Sequence, residues 1–580
     1  MKTNRVIKIF LASSEELEAD RYRFGNPIRK LDNIYEKRGI RIELFEWEDY
    51  DAAYNGMRKQ DEYNERVRAS DMFLALFHKK AGKFTIEEFN IARKAFDEQA
   101  SPKIYTYIKD LEAGESESRE LAEFKRLMLE ELGHYWCRYS NFDTMQLHFV
   151  LQLQMVEATT PIKVEVKESQ VKIGDSTIAD LNNVPFTSEN ATHRELQSRK
   201  EQLDREIGNA ESGGRRGFFG QRSRMTDEEL ANLREERESV TEQIERQEKA
   251  LVDTAMSIAR MQGGECSPRM RTAAELFEKG EIDKAEAVLK EDDMEADATN
   301  AKLKFDTAAQ PTAELTRNIE RCAGEYMLKA RIVVSGIADE SRYRQAVKLM
   351  STAIDLVSGR LPEETLAEYL FDYAVLLTDT GQQTKALETW ERLSGIYERL
   401  YRKAPQKYAY GYAGVLNNMA VLYSDKGDFD HCLSKYLKAI DIYDWLDREE
   451  PGIYDDDIAR LKNNLGTLYS DRDEYNKALS EFNEAARIRF ELLAKDNDPD
   501  SRSALADIYC NMATALQFSD HPQEALRYIA QAHAILDELD KEFPRIYEYK
   551  LYSILNREGS IYTRLDQLDK AEESLQKSLQ

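Results

Sequence analysis

The sequence predicts an α/β domain built on a parallel sheet, then a helical and coiled-coil connector, then an α-solenoid of helical repeats. Three observations predict this order. Short apolar runs alternate with helix-compatible stretches over residues 1–160, heptad-like spacing follows at about 190–262, and small residues then recur every 46 or 47 positions. The predicted boundaries are therefore 1–160, 161–265 and 266–580. A chain of 580 residues is too long for one ordinary hydrophobic core.

Composition narrows the classes of partner. The chain carries 82 Lys and Arg against 108 Asp and Glu, a net charge of −26. Affinity for nucleic acid or anionic lipid comes largely from cationic side chains, so we expect neither nucleic acid nor a membrane as a partner. The sequence has no signal-type N-terminus and no apolar run long enough to span a bilayer, which predicts a cytoplasmic protein. Its five cysteines lie far apart, which argues against a disulfide framework and a metal site.

Five segments of the first domain are predicted strands, because each is short and apolar and is separated from the next by a helix-compatible stretch. Such a βαβ series forms a parallel sheet with helices on both faces. The ligand crevice of such a sheet lies beyond the carboxyl ends of its strands, so we expect any chemistry in the loops after Ala12, Glu46 and Phe77. The segments are 5–12, 41–46, 71–77, 102–108 and a weaker fifth at 134–139.

The connector is predicted to contain a small β-hairpin at 161–185 and an antiparallel pair of coiled-coil helices. Arg237 and Gln247 occupy core slots of the heptad pattern, which favours a short pair over a long zipper. Thr226 and Glu229 have the spacing of a capping box at the second helix. The basic, glycine-rich loop 213–224 is either a solvated hairpin tip or a contact for a partner or phosphate. Apolar heptad positions are Leu230, Leu233, Val240, Ile244, Leu251 and Ile258.

The C-terminal half contains an internal repeat. A small residue recurs at one position, a second small residue follows 12 positions later, and a large apolar residue follows 16 positions after the first. Small residues let two helices approach closely, and we expect the large residues to fill the groove left by the next pair. The three sets are Ala374, Ala420, Gly466, Ala513 and Gly559; Ala386, Cys432, Ala478, Ala525 and Ala571; and Trp390, Tyr436, Phe482, Ile529 and Leu575.

This pattern resembles the tetratricopeptide repeat, with helices longer than in the standard unit, over about 268–580. Two less regular copies are predicted before it, around Ala273 with Ala285 and around Ala346 with Ala353. The resemblance implies a concave surface that binds a protein or peptide ligand, and it allows self-association through the helical regions.

Three loops of the first domain carry polar or aromatic residues where the strands end. Ser13 and Ser14 stand at the first strand-to-helix turn, and Trp47 lies in an acidic loop after the second strand. The third strand is followed by 82–92, which opens a helix and contains Phe84 and Glu88. Hydroxyls and free helix N–H groups can bind a ribose or a phosphate. In the usual doubly wound order these three loops are neighbours at one edge of the sheet.

Residues 4–157 resemble the TIR family, particularly its bacterial NAD-cleaving members. Those domains carry an aromatic residue four positions before a catalytic glutamate and a small residue four positions after it. Phe84, Glu88 and Ala92 have this spacing, with Phe in place of the commoner Trp. The resemblance implies a flavodoxin-like TIR fold, cleavage of the nicotinamide–ribose bond of NAD+, and a role in bacterial antiphage defence. NAD+ is then the substrate, no cofactor is required, and assembly through the repeats and the TIR-like domain activates the enzyme.

The chemistry of that reaction requires a carboxylate. Breaking the N-glycosidic bond develops oxocarbenium character at the ribose, and a nearby anion stabilises the transition state more than the ground state. The resemblance assigns this catalytic role to Glu88. It implies that Phe84 and Trp47 stack on the rings and that Ser13 and Ser14 contact the ribose or diphosphate.

Each residue also has a structural interpretation. Thr85 and Glu88 have the spacing of a capping box, so Glu88 can be a helix cap, as can Glu16 opposite Ser13. Glu87 ranks second as the catalytic carboxylate because it points about 100° away on the helix. Asp20 and Arg21 are predicted to form a solvated helix face.

Two further functions stay open. The first is a scaffold without enzymatic activity, in which the TIR-like domain only associates with other such domains. The second is an N-glycosidase that acts on a nucleoside or nucleotide instead of NAD+.

Overall fold

The computed structural model divides into two units, Met1–Tyr369 and Leu370–Gln580. The residues that the structure describes are 5–36, 40–45, 59–112, 114–128, 136–156, 164–167, 169–173, 176–211, 226–261, 266–336, 339–449, 451–495, 497, 499–542 and 547–578.

The first unit begins with a parallel sheet of five strands in the order β2-β1-β3-β4-β5. All five predicted strands are confirmed, although the fifth is only three residues long. The order places β1 between β2 and β3, so the loops that follow these three strands are neighbours, as predicted. The strands are β1 (Arg5–Ser13), β2 (Ile40–Phe45), β3 (Met72–Phe77), β4 (Lys103–Lys109) and β5 (Cys137–Tyr139).

Helices cover both faces of this sheet. On one face the cluster formed by α2, α3 and α4 includes an edge-on contact of Phe89 with Phe124 at 5.0 Å. On the other face, Phe24 of α1 meets Phe149 of α5 at 4.7 Å. Strand β3 lies between the two layers and is buried throughout. The helices are α1 (Glu18–Glu36), α2 (Lys59–Ala69), α3 (Lys83–Gln99), α4 (Arg119–Arg126) and α5 (Phe142–Val156).

A small antiparallel sheet follows in the order β6-β7-β8. The sequence predicted only a two-stranded hairpin at 161–185. The structure adds a third strand, which pairs with the second and contains the buried residues Ile178 and Ala179. The elements here are β6 (Glu165–Lys167), β7 (Gln170–Ile173), β8 (Ser176–Asp180), α6 (Pro185–Ser188), α7 (Ala191–Glu211) and α8 (Asp227–Met261).

Helices α7 and α8 form the predicted antiparallel pair. Arg237 at its polar core slot donates to Asp204 at 2.9 Å, while Leu203 packs with Val240 and Ile244. The capping box of α8 is also confirmed. Glu229 N–H donates to Thr226 Oγ1 at 3.1 Å, and Thr226 N–H donates to Glu229 Oε2 at 2.7 Å.

The first unit continues into stacked helices. Ala273 and Ala285 lie on the contacting helices α9 and α10, as the first irregular repeat copy predicts. The second copy is wrong as a helix pair, because Ala346 and Ala353 lie on one helix, α13, which packs against α12. These helices are α9 (Pro268–Glu278), α10 (Ile282–Val288), α11 (Glu291–Thr307), α12 (Ala313–Ser335) and α13 (Glu340–Val357).

Five regular helix pairs follow, and the first helix, α14, crosses from the first unit into the second. The large residue packs on the small residue of its own pair, as Leu575 does on Gly559, and Phe482 also clusters with Ile508 and Met512 of the next pair, as predicted. A Cβ atom on Gly466 would lie 2.5 Å from the ring of Phe482, because the two helices approach that closely. The helices are α14 (Glu363–Asp379), α15 (Gln383–Lys403), α16 (Pro405–Asp425), α17 (Phe429–Glu449), α18 (Asp455–Asp471), α19 (Tyr475–Lys495), α20 (Pro499–Phe518), α21 (Pro522–Glu542), α22 (Glu548–Arg564) and α23 (Leu568–Ser578). Within the described ranges, no helix has the length and apolar character needed to cross a membrane.

Candidate functional site

The candidate site lies where β1 and β3 end and α3 begins. Gly82 is the N-cap of α3, and its backbone is extended. A Cβ atom on Gly82 would lie 3.8 Å from Cβ of Ser14, so the start of α3 stands directly beside the end of β1. The free N–H groups of a helix start and a serine hydroxyl are thereby close together at the carboxyl edge of the sheet.

Glu88 is not a helix cap. Helix α3 begins at Lys83, and its N-cap makes no side-chain hydrogen bond, so Thr85 is the third helical residue and Glu88 the sixth. The capping-box interpretation of Thr85 and Glu88 is therefore wrong, since a capping glutamate belongs to the first turn. Glu88 instead shares the buried face of α3 and is 9% exposed. That helix contacts β1, β3 and β4.

Phe84 lies one helical turn before Glu88 and, at 57% exposed, keeps its ring open to solvent. Residues four apart share a face of a helix, so an exposed ring and a buried carboxylate follow one another along α3. The neighbouring carboxylate of Glu87 is engaged elsewhere, because Asn64 of α2 donates to it at 3.1 Å. Glu88 is thus the more buried of the two neighbouring carboxylates.

The two serines point to different surroundings. Ser14 lies on the α3 side, beside Gly82. Ser13 Oγ accepts a hydrogen bond of 2.5 Å from Arg21 Nη1 of α1. The structure therefore places the start of α3, the helix that carries Phe84 and Glu88, beside Ser14, and it engages Ser13 with α1.

Asp20 and Arg21 do not form the solvated face that was predicted. Both are buried, and Arg21 is only 2% exposed. Asp20 accepts hydrogen bonds from Lys109 Nζ at 2.9 Å and from the Tyr139 hydroxyl at 3.1 Å. Burial, reinforced by Asp20, raises the pKa of Tyr139 above its ordinary range. Charged residues are usually exposed, and only the tertiary fold brings partners from β4 and β5 to this turn of α1.

Glu16 does not cap a helix opposite Ser13 either. Its Oε1 accepts hydrogen bonds from Ser14 Oγ at 3.3 Å and from the backbone N–H groups of Lys79 and Lys80 at 3.1 and 3.2 Å. Glu16 therefore connects the turn after β1 with the loop after β3.

Two predicted features lie outside the described residues, namely Trp47 and the basic loop 213–224. Among the residues that are described, no group of three or more His, Cys, Asp and Glu side chains could hold a metal ion.

A row of asparagines marks a second candidate surface, which our sequence analysis missed. Asn463 and Asn511 lie on the first helices of neighbouring pairs, and Asn511 Nδ2 donates to Asn463 Oδ1 at 3.1 Å. In the preceding pair, Asn417 Oδ1 is buried without a hydrogen-bond partner. The signal was present, because Asn417 and Asn463 are 46 positions apart, as are Asn418 and Asn464, in step with the repeat.

Residues 552–580 match the family model of the tetratricopeptide repeat. No curated protein sequence matches the chain. A signal-transduction ATPase with a tetratricopeptide repeat sensor from Pyrococcus horikoshii is 12% identical, with a TM-score of 0.37, and covers 99% of this chain and 93% of its own.

The apo form of RapI is 15% identical, with a TM-score of 0.36, over 66% of this chain and 96% of its own. BtubC from P. vanneervenii is 19% identical, with a TM-score of 0.33, over 43% of this chain and 92% of its own.

Proposed function

We propose that the chain joins a repeat surface for a protein or peptide ligand to an N-terminal domain that cleaves the nicotinamide–ribose bond of NAD+. The tetratricopeptide match at 552–580 and the stacked helix pairs support the binding role. The cleavage role comes from the resemblance of Phe84, Glu88 and Ala92 to the NAD-cleaving TIR enzymes. Activation by assembly, and a role in antiphage defence, belong to the same proposal.

One observation carries the proposed cleavage. Glu88 is a largely buried carboxylate beyond the first turn of α3, the helix that begins at the carboxyl edge of the sheet. A carboxylate held in low-dielectric surroundings stabilises an oxocarbenium-like ribose strongly, because water screens it less. Phe84 offers an exposed ring one turn away for stacking on a planar base.

The test is NAD+ consumption with chromatographic detection of nicotinamide. We expect Glu88→Gln to abolish release, because the amide keeps the shape but loses the charge that the transition state requires. Glu87→Gln is the matched control on the same helix, and we expect it to retain activity because that carboxylate is held by Asn64. Both variants are first compared with the wild type by circular dichroism. Concentrated protein and a crowding agent favour assembly during the assay.

The product identifies the substrate class. Nicotinamide release by the wild type alone supports NAD+ cleavage. A free base released from nucleosides or nucleotides, with NAD+ left intact, moves the proposal to the nucleoside N-glycosidase.

A non-enzymatic scaffold is the second candidate function. The exposure of Phe84 favours it, because an exposed aromatic ring is also typical of a protein contact. Folded, assembled wild-type protein that releases no base from any of these substrates would support the scaffold and contradict both enzymes.

The asparagine row supports an extended peptide as the repeat ligand. An amide side chain both donates and accepts, so it can pair with the N–H and C=O groups of one peptide unit. Asn417, Asn463 and Asn511 come from three successive pairs, which would place such contacts at intervals along a peptide. Recognition of this kind reads the peptide backbone, and side-chain pockets then add specificity.

A further inference from the structure

The carboxylate of Glu16 accepts hydrogen bonds from a small group of donors at the carboxyl edge of the sheet. Three donors converge on its Oε1, namely the hydroxyl of Ser14 and the backbone N–H groups of Lys79 and Lys80. The two N–H groups belong to successive residues of the loop after β3. Successive N–H groups aimed at one point form an anion-binding concavity.

The donors are held in place before any ligand arrives. Ser118 N–H donates to Lys79 O at 2.7 Å, which fixes the peptide plane that also carries the N–H of Lys80. Lys79 Nζ donates to Glu115 at 2.5 Å, and this contact raises the pKa of Lys79. The loop is therefore tied to the segment before α4, and its N–H groups keep their direction if Glu16 leaves.

Glu16 is the part of this arrangement that a ligand can displace. Glu16 and Lys80 are exposed, so solvent and ligands reach the carboxylate. Lys80 adds a positive charge to the loop, whereas the charge of Lys79 is paired with Glu115. A phosphate oxygen forms hydrogen bonds of the same length with such N–H groups as a carboxylate oxygen does.

We propose that this is a phosphate-binding position which Glu16 occupies in the free protein, so that Glu16 competes with a phosphate group of a nucleotide ligand. Ser14 and the start of α3 stand beside the position, which places the phosphate next to the candidate site. Displacement of an internal carboxylate lowers the apparent affinity for the phosphate, because the ligand must first compete with it. The inference concerns binding, and it does not require that any bond of the ligand be cleaved.

The test is titration calorimetry on the full chain with three probes: ADP, inorganic pyrophosphate and adenosine. We expect Glu16→Ala to bind ADP and pyrophosphate about 10-fold more tightly than the wild type does, with adenosine binding unchanged. Glu18→Ala is the matched control, because Glu18 is an exposed acid in the first turn of α1, and we expect no change in affinity. ADP has no nicotinamide, so this result is independent of whether NAD+ is cleaved.

Two results would overturn the inference. Folded Glu16→Ala that binds ADP and pyrophosphate no better than the wild type would show that Glu16 only ties two loops together. An equal gain for adenosine would show that phosphate is not the group recognised. If Glu16→Ala does not fold, Glu16→Gln keeps the hydrogen bonds and removes the charge. We expect it to tighten ADP binding about threefold, and no gain would likewise contradict the inference.

Discussion

The imidazole Nε2 of His148 lies 3.9 Å from Oε1 of Glu278, and both side chains are more than nine-tenths buried. His148 belongs to α5 of the α/β domain, and Glu278 ends the first helix of the stacked helices. Neither His148 Nδ1 nor Glu278 Oε1 has a hydrogen-bond partner. A histidine nitrogen and a carboxylate oxygen without such partners are thus buried between the sheet domain and the helices that follow it.

Glu278 should make stability depend on pH. Burial raises the pKa of Glu278 to about 8 from 4.5, with Glu275 and Asp110 adding to the rise and Arg138 and Lys279 opposing it. The folded state then holds a proton that the unfolded state has lost, so the free energy of unfolding falls as pH rises through this window. We expect Glu278→Gln, which cannot ionise, to raise that free energy at pH 8 by a few kcal/mol, at ~1.4 kcal/mol per pKa unit.

Denaturant titrations at pH 4.5 and pH 8 measure this effect. Little difference between Glu278→Gln and wild type is expected at the lower pH, where the folded state keeps the proton and the unfolded state is only beginning to lose it. Burial lowers the pKa of His148 to about 4. The contribution of His148 to the free energy of unfolding therefore falls as pH falls, opposite to that of Glu278. Comparison at matched pH removes its contribution. Glu201→Gln, exposed on α7, is the control and should give no pH-dependent gain.

Gly466→Ala should destabilise the repeats. The added Cβ would lie 2.5 Å from the Phe482 ring, which is itself buried and cannot move without opening a gap. Overpacking of this kind costs about 1–3 kcal/mol. Gly414→Ala is the matched control, because nothing lies within 4 Å of its added Cβ, and it should instead stabilise α16 by about 0.5–1 kcal/mol. Equal melting temperatures for the two variants would contradict the close approach of α18 and α19.

Glu248→Ala should destabilise the connector. The carboxylate is fully buried, and it accepts hydrogen bonds from Ser169 Oγ at 2.6 Å and pairs with His193 Nε2 at 2.9 Å. Its loss would leave the buried imidazole of His193 without this partner, which costs about 3 kcal/mol. Glu242 lies on the same helix in an exposed pair with Arg246, so Glu242→Ala should cost under ~0.5 kcal/mol. Chemical denaturation of both variants gives the comparison.

Asn417→Ala should weaken binding of a peptide ligand selected on the full chain from a random library. The substitution removes two hydrogen bonds from the Asn417 amide to the peptide backbone. We therefore expect the affinity, measured by fluorescence anisotropy, to fall about 10-fold. N-methylation of the contacted peptide unit should give a similar loss on the wild type and no further loss on the variant. The control is Asn483→Ala, because Asn483 is exposed and lies on a second helix of a pair. Unchanged affinity for Asn417→Ala would exclude the asparagine row as the peptide contact.

The sequence alone determined the parts of this protein that depend on local pattern. Apolar runs predicted all five strands, and their alternation with helices predicted the parallel sheet. The recurrence from Ala374 to Gly559 predicted the helix pairs, because small residues at fixed intervals are required wherever two helices approach closely. Burial and periodicity are linked within a single element, so one sequence is enough to detect them.

Only the tertiary structure decided what depends on neighbours from distant segments. Thr85 and Glu88 have capping spacing in any chain, but α3 begins at Lys83, so Glu88 lies on the buried face beyond the first turn. The sequence predicts Arg21 as a surface residue, but in the structure it is buried and donates a hydrogen bond to Ser13 at the end of β1. The role of a charged side chain is set by the partners that folding brings to it and by the water that folding removes, and sequence spacing encodes neither.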